Sequence, residues 1–334
     1  MPREWVIHGH DGWQGLDLIE APMPQPGPGQ VRLKIGAFAL NWGDMDLMLD
    51  RYSFSFPSFP ARIGMEAAGV VDALGEGVTG WEIGQHVGTL PYFYDNDGTS
   101  ADYACVDARY LAPTPPGLSP VEAASIWMQF MTAYYPVMEL ARAGPGTSML
   151  VTAATGTAGN AALHIGRLAG ANMIGTTRDP GSVDYLIDSG ASHVIVTADD
   201  TDIAAEIAKV TNGQGVDAVF DPVGAGMIHR YSPALAKGAQ IFFYGTLDGE
   251  FPTLPFVDMF QANATFKPYS LFNYVEDDAA RARGVAFVTQ ALADGRLAPQ
   301  IDRVYPMDGY RDAWAYLSQP RDSHGKVVIA TGQK

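Results

Sequence analysis

The spacing of apolar and polar positions changes along the chain, and the changes divide it. Up to about residue 120 the apolar residues come in short runs broken by glycine and proline. Val31-Arg32-Leu33-Lys34-Ile35 alternates, as a strand with one buried face does. Residues 22–29 hold Pro22, Pro24, Pro26, Pro28, Gly27 and Gly29, an extended or turning lead-in to that strand. Residues 67–73 predict a second strand, closed by the turn Gly75-Glu76-Gly77. Residues 81–87 predict a turn into a third, and residues 103–106 a fourth after the polar loop 95–100. Short strands separated by glycine turns predict a small barrel-like β domain.

At Ser119-Pro120-Val121-Glu122 the period becomes helical: Ser119 suits the N-cap, Pro120 the first helical position and Glu122 the capping box. Residues 132–140 predict a second helix, its start disturbed by Pro136. Strand and helix then alternate. Met149-Leu150-Val151 is a buried strand, residues 160–168 a helix carrying Leu163, Ile165 and Leu168 and ended by Gly170, and residues 171–177 a second strand. Helices at 183–187, 203–210 and 227–235 follow, interleaved with strands at 194–196, 216–220 and 240–244. This order predicts a parallel, doubly wound α/β sheet. Beyond about residue 265 the alternation weakens. Residues 277–294 predict a long amphipathic helix with Val285, Phe287, Val288 and Leu292 on its apolar face; residues 309–317 predict a helix and 326–329 a terminal strand. The expected organisation is a β-rich domain from residues 1–120 and 266–334, interrupted by an α/β domain at 121–265.

The first βα turn carries the chemistry. Ala154-Thr155-Gly156-Thr157-Ala158-Gly159 is an A-x-G-x-x-G turn between a strand and a helix, the setting in which a helix N-terminus receives a dinucleotide pyrophosphate. Asn160 follows, to cap the helix or reach the phosphates. An NAD site places Asp or Glu at the end of the next strand for the ribose 2′-hydroxyl. Here that strand ends Thr177-Arg178-Asp179, and a guanidinium with a neighbouring hydroxyl matches a 2′-phosphate. NADPH is therefore the expected cofactor, with Asp179 as a competing partner for Arg178 or for the ribose.

Charge and composition narrow the partners. The 334 residues are 47% hydrophobic and 17% charged, with a formal net charge of −16, which argues against a nucleic-acid or anionic-membrane partner. The single cysteine, Cys105, excludes an intrachain disulfide and a cysteine-rich metal cluster, and the seven histidines share no metal-ligand spacing. The start M-P-R-E-W carries no apolar leader and no run approaches a membrane span, so a cytoplasmic protein is expected.

The chain resembles the zinc-independent, quinone oxidoreductase (zeta-crystallin-like) branch of the medium-chain dehydrogenase/reductase superfamily. The marks are Leu40-Asn41-Trp42-Gly43-Asp44 with Tyr52 downstream, Gly64-Met65-Glu66-Ala67-Ala68-Gly69, Gly75-Glu76-Gly77-Val78-Thr79-Gly80-Trp81, Thr132-Ala133-Tyr134-Tyr135, the glycine turn, Gly190-Ala191-Ser192-His193, Asp221-Pro222-Val223-Gly224 and His324-Gly325-Lys326-Val327-Val328. The resemblance implies a GroES-like β-rich catalytic domain joined to a Rossmann domain. Asn41, Met65 and Met128 stand where the zinc-dependent relatives carry metal ligands, and none is a zinc donor, so no catalytic metal is expected. Glu66 then reads as a polar residue at a strand start.

The resemblance further implies an NADPH-dependent reductase of quinones or activated alkenes, with Asn41 and Tyr52 as hydrogen-bond donors to the carbonyl oxygen. Asp44 orients local backbone. Thr132 is expected at the nicotinamide carboxamide, Ser182 and Tyr185 with Thr177 and Arg178 at the 2′-phosphate, Gly245 and Thr246 beside the dinucleotide, and Lys326 at the cofactor or a domain interface. Alternatives are a ketone or alcohol oxidoreductase, an enoyl-thioester reductase, and a non-catalytic NADPH-binding structural or regulatory protein. The expected partners are a small-molecule substrate and a second copy of the chain, joined through the sheet edge at residues 240–255.

Overall fold

The structure is a computed structural model that describes residues 1–332 of the 334. It forms two units: Met1–Met128 with the chain from Phe272 onward, and Gln129–Leu271.

In the second unit six strands run parallel in the order His193–Val196, Asn172–Thr177, Ser148–Val151, Val216–Asp221, Leu235–Phe243, Thr265–Pro268. This is the doubly wound Rossmann order. The direction of strand addition reverses at Ser148–Val151, so its C-terminal end opens a crevice. Met149, Leu150 and Val151 have no solvent exposure, as expected of a central parallel strand covered on both faces. Leu150, Ile174, Ile195, Val219 and Ile241 carry the core across the strands, and Ile203 and Ile207 of the helix Ile203–Val210 pack onto it.

Three elements depart from the sequence reading. The first βα helix spans Thr157–Ala169, starting inside the glycine turn, because Gly156 is its N-cap. Pro136 does not break the chain's helical path. The helix Trp127–Tyr134 continues as a π-helical turn, Tyr135–Leu140, in which the Ala141 N–H reaches back to the Pro136 carbonyl at 2.9 Å. The outer strand is Thr265–Pro268, which pairs with Leu235–Phe243. The segment expected to form a free sheet edge is therefore internal at residues 240–243; the observed edge strand is four residues long and ends in proline, a shape that discourages further pairing.

In the first unit a seven-stranded sheet runs Ile301–Pro306, Lys326–Ala330, Gln30–Ala39, Ala67–Leu74, His86–Thr89, Leu111–Pro113, with Tyr103–Asp107 also paired to Gln30–Ala39. Arg3–Ile7 joins Asp17–Glu20 and Ala61–Arg62 in a smaller sheet. Gly69 shows why this packing needs a glycine: an added Cβ would lie 2.2 Å from the Lys34 carbonyl oxygen. The capping box forms as read, with Ser119 N–H on Glu122 Oε2 at 2.8 Å and Glu122 N–H on Ser119 Oγ at 3.3 Å. The long helix is Asp278–Ala293, capped by Asp277. Its fully buried stripe is Ala280, Gly284, Val288 and Ala291, while Phe287 and Leu292 are only half-buried. The buried stripe is made mostly of small residues, which hydropathy alone does not reveal.

Among the described residues no helix is long and apolar enough to cross a membrane.

Candidate active site

The glycine turn is held open by the strand beside it. Ala153 sits at φ +46°, a left-handed conformation costly for a residue with a side chain. Its N–H donates to Thr176 Oγ1 at 3.1 Å and the N–H of Ala154 to the Thr176 carbonyl at 2.9 Å. Gly159 lets the helix start close upon the turn, since a Cβ there would meet Ala154 Cα at 2.9 Å and the Ala153 carbonyl at 3.0 Å. The first intrahelical bond runs from Asn160 N–H to the Gly156 carbonyl at 2.8 Å. The N–H groups of Thr157, Ala158 and Gly159 are thus the donors a helix start leaves for an anion.

Two residues assigned to that contact are used otherwise. Ala154 is fully buried with its N–H already bonded, so it supports the turn from beneath. Asn160 donates from Nδ2 to Ser189 Oγ at 2.6 Å, and Ser189 donates to the Tyr185 carbonyl at 2.7 Å, tying the helix to the next one. Thr155 is half-buried and Gly156 exposed.

At the end of the neighbouring strand Asp179 neither pairs with Arg178 nor stands free. Its carboxylate accepts from Gly181 N–H at 2.9 Å and Ser182 Oγ at 2.7 Å. The hydroxyl of Thr177 bonds the backbone of Asp179 in both directions, at 3.1 and 3.2 Å. Thr177 and Ser182, both buried, therefore spend these hydroxyl bonds on their own loop. Arg178 is exposed and makes no ion pair among the described residues. Tyr185 is half-buried, and burial pushes its phenol up to about 12.

Gly245 and Thr246 are half-buried and follow the strand Leu235–Phe243, one strand beyond Val216–Asp221. Asp221 is structural there: buried, it accepts from Thr152 Oγ1 at 2.6 Å and Tyr231 Oη at 3.0 Å. Thr132 is buried on the helix Trp127–Tyr134.

The first unit holds a second cluster. Three adjacent strands bring their ends together: Gln30–Ala39 leads into Asn41, Glu66 precedes Ala67–Leu74, and Lys326 opens Lys326–Ala330. Ala39 N–H bonds the Glu66 carbonyl at 3.1 Å and Leu40 N–H the Val327 carbonyl at 3.0 Å, so backbone pairing sets the approach. The Lys326 ammonium, in a residue 2% exposed, donates to Glu66 Oε2 at 3.0 Å and to Asn41 Oδ1. Glu66 Oε1 accepts the Met128 N–H at 2.9 Å. Lys326 is thus neither a surface residue nor a free cation for a phosphate, and Glu66 is an ion-pair partner rather than an incidental polar residue.

Asn41 caps the helix Trp42–Met48, and its N–H donates to Asp44 Oδ2 at 3.0 Å. Asp44 is fully buried and its Oδ1 has no partner among the described residues. Burial, opposed by the Asn41 N–H and the Lys326 charge, pushes its carboxyl from 3.8 up to about 7. The Tyr52 ring lies against this helix, where a Cβ on Gly43 would be 3.0 Å from its Oη. Burial, reinforced by Asp44 and Asp46, raises the Tyr52 phenol above its usual range, and its hydroxyl makes no hydrogen bond among the described residues. Phe54 packs edge-on to Tyr52, Phe93, Tyr94 and Phe272 with centroids 5.4–5.9 Å apart, an aromatic wall around Tyr52.

An alcohol dehydrogenase GroES-like domain matches residues 27–116 and a zinc-binding dehydrogenase domain matches residues 189–329. The chain belongs to the medium-chain dehydrogenase/reductase superfamily. Phthioceranic/hydroxyphthioceranic acid synthase of Mycobacterium tuberculosis is 35% identical over 210 residues, 63% of this chain; the match spans only 10% of that synthase's length. The synaptic vesicle membrane protein VAT-1 homolog of Rattus norvegicus is 29% identical over 98% of this chain and 83% of its own. Among solved structures, Escherichia coli quinone oxidoreductase complexed with NADPH superposes with a TM-score of 0.89 at 22% identity, covering 98% of this chain and 99% of the other. An NAD-dependent alcohol dehydrogenase superposes at 0.88 with 28% identity, covering 99% and 100%.

Superfamily membership raises the question of zinc, and the residues do not fit it. Both Glu66 oxygens already accept N–H donors, Asn41 Oδ1 accepts the ammonium, and a buried cation sits among them. Among the described residues no three His, Cys, Asp or Glu side chains could hold a metal ion. The signal for the Lys326–Glu66 pair was present in the sequence: a lone carboxylate in the apolar run Met65–Ala68 and a lone lysine before Val327-Val328-Ile329 each need a partner when buried.

Proposed function

We propose that this chain is an NADPH-dependent reductase that works without a metal and delivers hydride to a quinone or an activated alkene such as an enone or enal. The observation that carries the reading is Arg178, exposed at the end of the second Rossmann strand, with the neighbouring carboxylate of Asp179 turned into its own loop. Among the described residues no carboxylate pairs with the guanidinium, which suits it to a 2′-phosphate, while the Asp179 carboxylate already accepts two hydrogen bonds from its own loop. The Thr157, Ala158 and Gly159 N–H groups hold the pyrophosphate. Bound NADPH supplies a hydride. Asn41 and Tyr52 donate hydrogen bonds to the acceptor oxygen as it gains negative charge, the part that a metal plays in zinc enzymes. Thr132, Gly245 and Thr246 border the cofactor. The likeness to a quinone oxidoreductase complexed with NADPH supports this reading at the level of fold.

A ketone or alcohol oxidoreductase is the second reading, favoured by the 28% identity to an alcohol dehydrogenase. Steady-state assays with NADPH and NADH against a quinone, an enone, crotonyl-CoA and a simple ketone separate the two. Turnover of the ketone alone would overturn the first reading; tight NADPH binding without consumption would leave a cofactor-binding protein. The same reading has the protein acting in the cytoplasm as a homodimer. Exposed Leu247, Phe251, Phe256, Val257 and Phe260 offer apolar surface to a second copy, which light scattering tests.

A further inference from the structure

Two of the three positions at which the resemblance places metal ligands in zinc-dependent relatives, Asn41 and Met128, are engaged in this fold, and Glu66 beside the third completes the cluster. Asn41, Glu66 next to Met65, and Met128 converge on one group, the Lys326 ammonium or the carboxylate that holds it. The chain has an internal cation where its relatives have a metal.

An ammonium only donates hydrogen bonds. The Asn41 amide must therefore turn its oxygen to Lys326, which leaves Nδ2 facing the other way. That nitrogen has one long contact, to the Ala39 carbonyl at 3.4 Å, so its donor capacity is not used up. Glu66 fixes the ammonium in turn and is itself anchored by the Met128 N–H at 2.9 Å. The arrangement runs backbone N–H, carboxylate, ammonium, amide oxygen, with each member setting the orientation of the next.

We propose that Lys326, held by Glu66, is a positioning residue that fixes the Asn41 amide with its N–H₂ as the donor to the acceptor oxygen, in the place where related enzymes use a metal. The inference rests on the reductase reading for the identity of the acceptor, but the orientation of the amide is independent of it.

Lys326→Met alone leaves a buried, unpaired carboxylate and endangers folding. The test therefore pairs Lys326→Met with Glu66→Gln, whose amide oxygen still accepts the Met128 N–H. The pair is compared with Asn41→Ala and with the triple variant. The expected result is a fall in kcat of about 10²–10³ in both the paired variant and Asn41→Ala, with NADPH affinity held. The triple variant should be no worse than Asn41→Ala by more than about threefold. A folded paired variant with wild-type kcat, or losses that multiply in the triple variant, overturns the proposal. A second readout needs no turnover. With ¹⁵N-asparagine labelling, the Asn41 side-chain N–H₂ signals, assigned by their loss in Asn41→Ala, should shift in the paired variant; unchanged signals overturn the proposal. If the wild type reduces none of the acceptors yet those signals move, the reductase reading fails and the positioning of Asn41 stands.

Discussion

Gly159→Val tests whether the turn geometry and cofactor affinity share one cause. A Cβ at Gly159 would meet only backbone: Ala154 Cα at 2.9 Å, the Ala153 carbonyl at 3.0 Å and the Ala154 carbonyl at 3.3 Å. None of these atoms can rotate away. The helix start must lift off the turn, and Ala153, already at φ +46°, has little freedom to follow. Overpacking of this kind costs about 1–3 kcal/mol, and exchanging glycine for valine inside a helix returns only a few tenths, roughly 0.4 kcal/mol. For a unit of this size the thermal midpoint should fall by roughly 3–10 °C. Lifting the helix also misaligns the Thr157, Ala158 and Gly159 N–H groups; losing one hydrogen bond to a charged phosphate weakens NADPH binding about 10- to 100-fold. Differential scanning fluorimetry and a fluorescence titration with NADPH measure the two effects. Gly226→Ala, where an added Cβ meets nothing within 4 Å, is the control. A valine variant with wild-type midpoint and wild-type affinity would refute the reasoning, because it would mean that the helix does not rest on the turn.

Arg178→Ala should weaken NADPH about 10- to 100-fold while leaving NADH affinity unchanged; equal losses for both cofactors would show that the guanidinium does not read the 2′-phosphate. Asp44→Asn reports on the buried carboxyl. Its folded value, about 7, lies above its ordinary 3.8, so the folded state binds the proton more tightly and wild-type stability falls as pH rises through the window from about 4 to 7. The slope is at most ~1.4 kcal/mol per pH unit, and urea midpoints at pH 5 and 8 should show the variant gaining on the wild type at the higher pH; parallel profiles would contradict it. Arg62→Met removes a buried guanidinium that bonds the Gly98 carbonyl and Glu4 Oε2, each at 2.5 Å. It should cost ~1–3 kcal/mol in chemical denaturation and leave NADPH binding intact, since the groups proposed to hold the cofactor lie in the other unit.

The sequence by itself determined the parts of this protein whose causes are local. The Ser119–Glu122 capping box forms from bonds between near neighbours, whereas the alternation along Val31–Ile35 and the apolar run Met149–Val151 are local burial patterns on strands whose hydrogen-bond partners lie far off in sequence; each stands as read. Period-switching also predicted the parallel sheet, since a strand–helix–strand unit can close in one hand only. Tertiary structure decided what the polar residues do. Asp179 reads as a partner for Arg178 until its loop closes and Gly181 and Ser182 take its oxygens. Thr265–Pro268 is too short to announce itself and exists because Leu235–Phe243 offers an open edge. Asn41, Glu66 and Lys326 meet across separations of 285 and 260 residues, brought together by strand order in the sheet. A buried charge must find its counter-charge wherever the fold places one. Sequence reads Glu66 as a polar residue at a strand start and Lys326 as a contact of the cofactor or a domain interface; only the folded sheet shows that they are each other's partners and that Asn41 lies beside them.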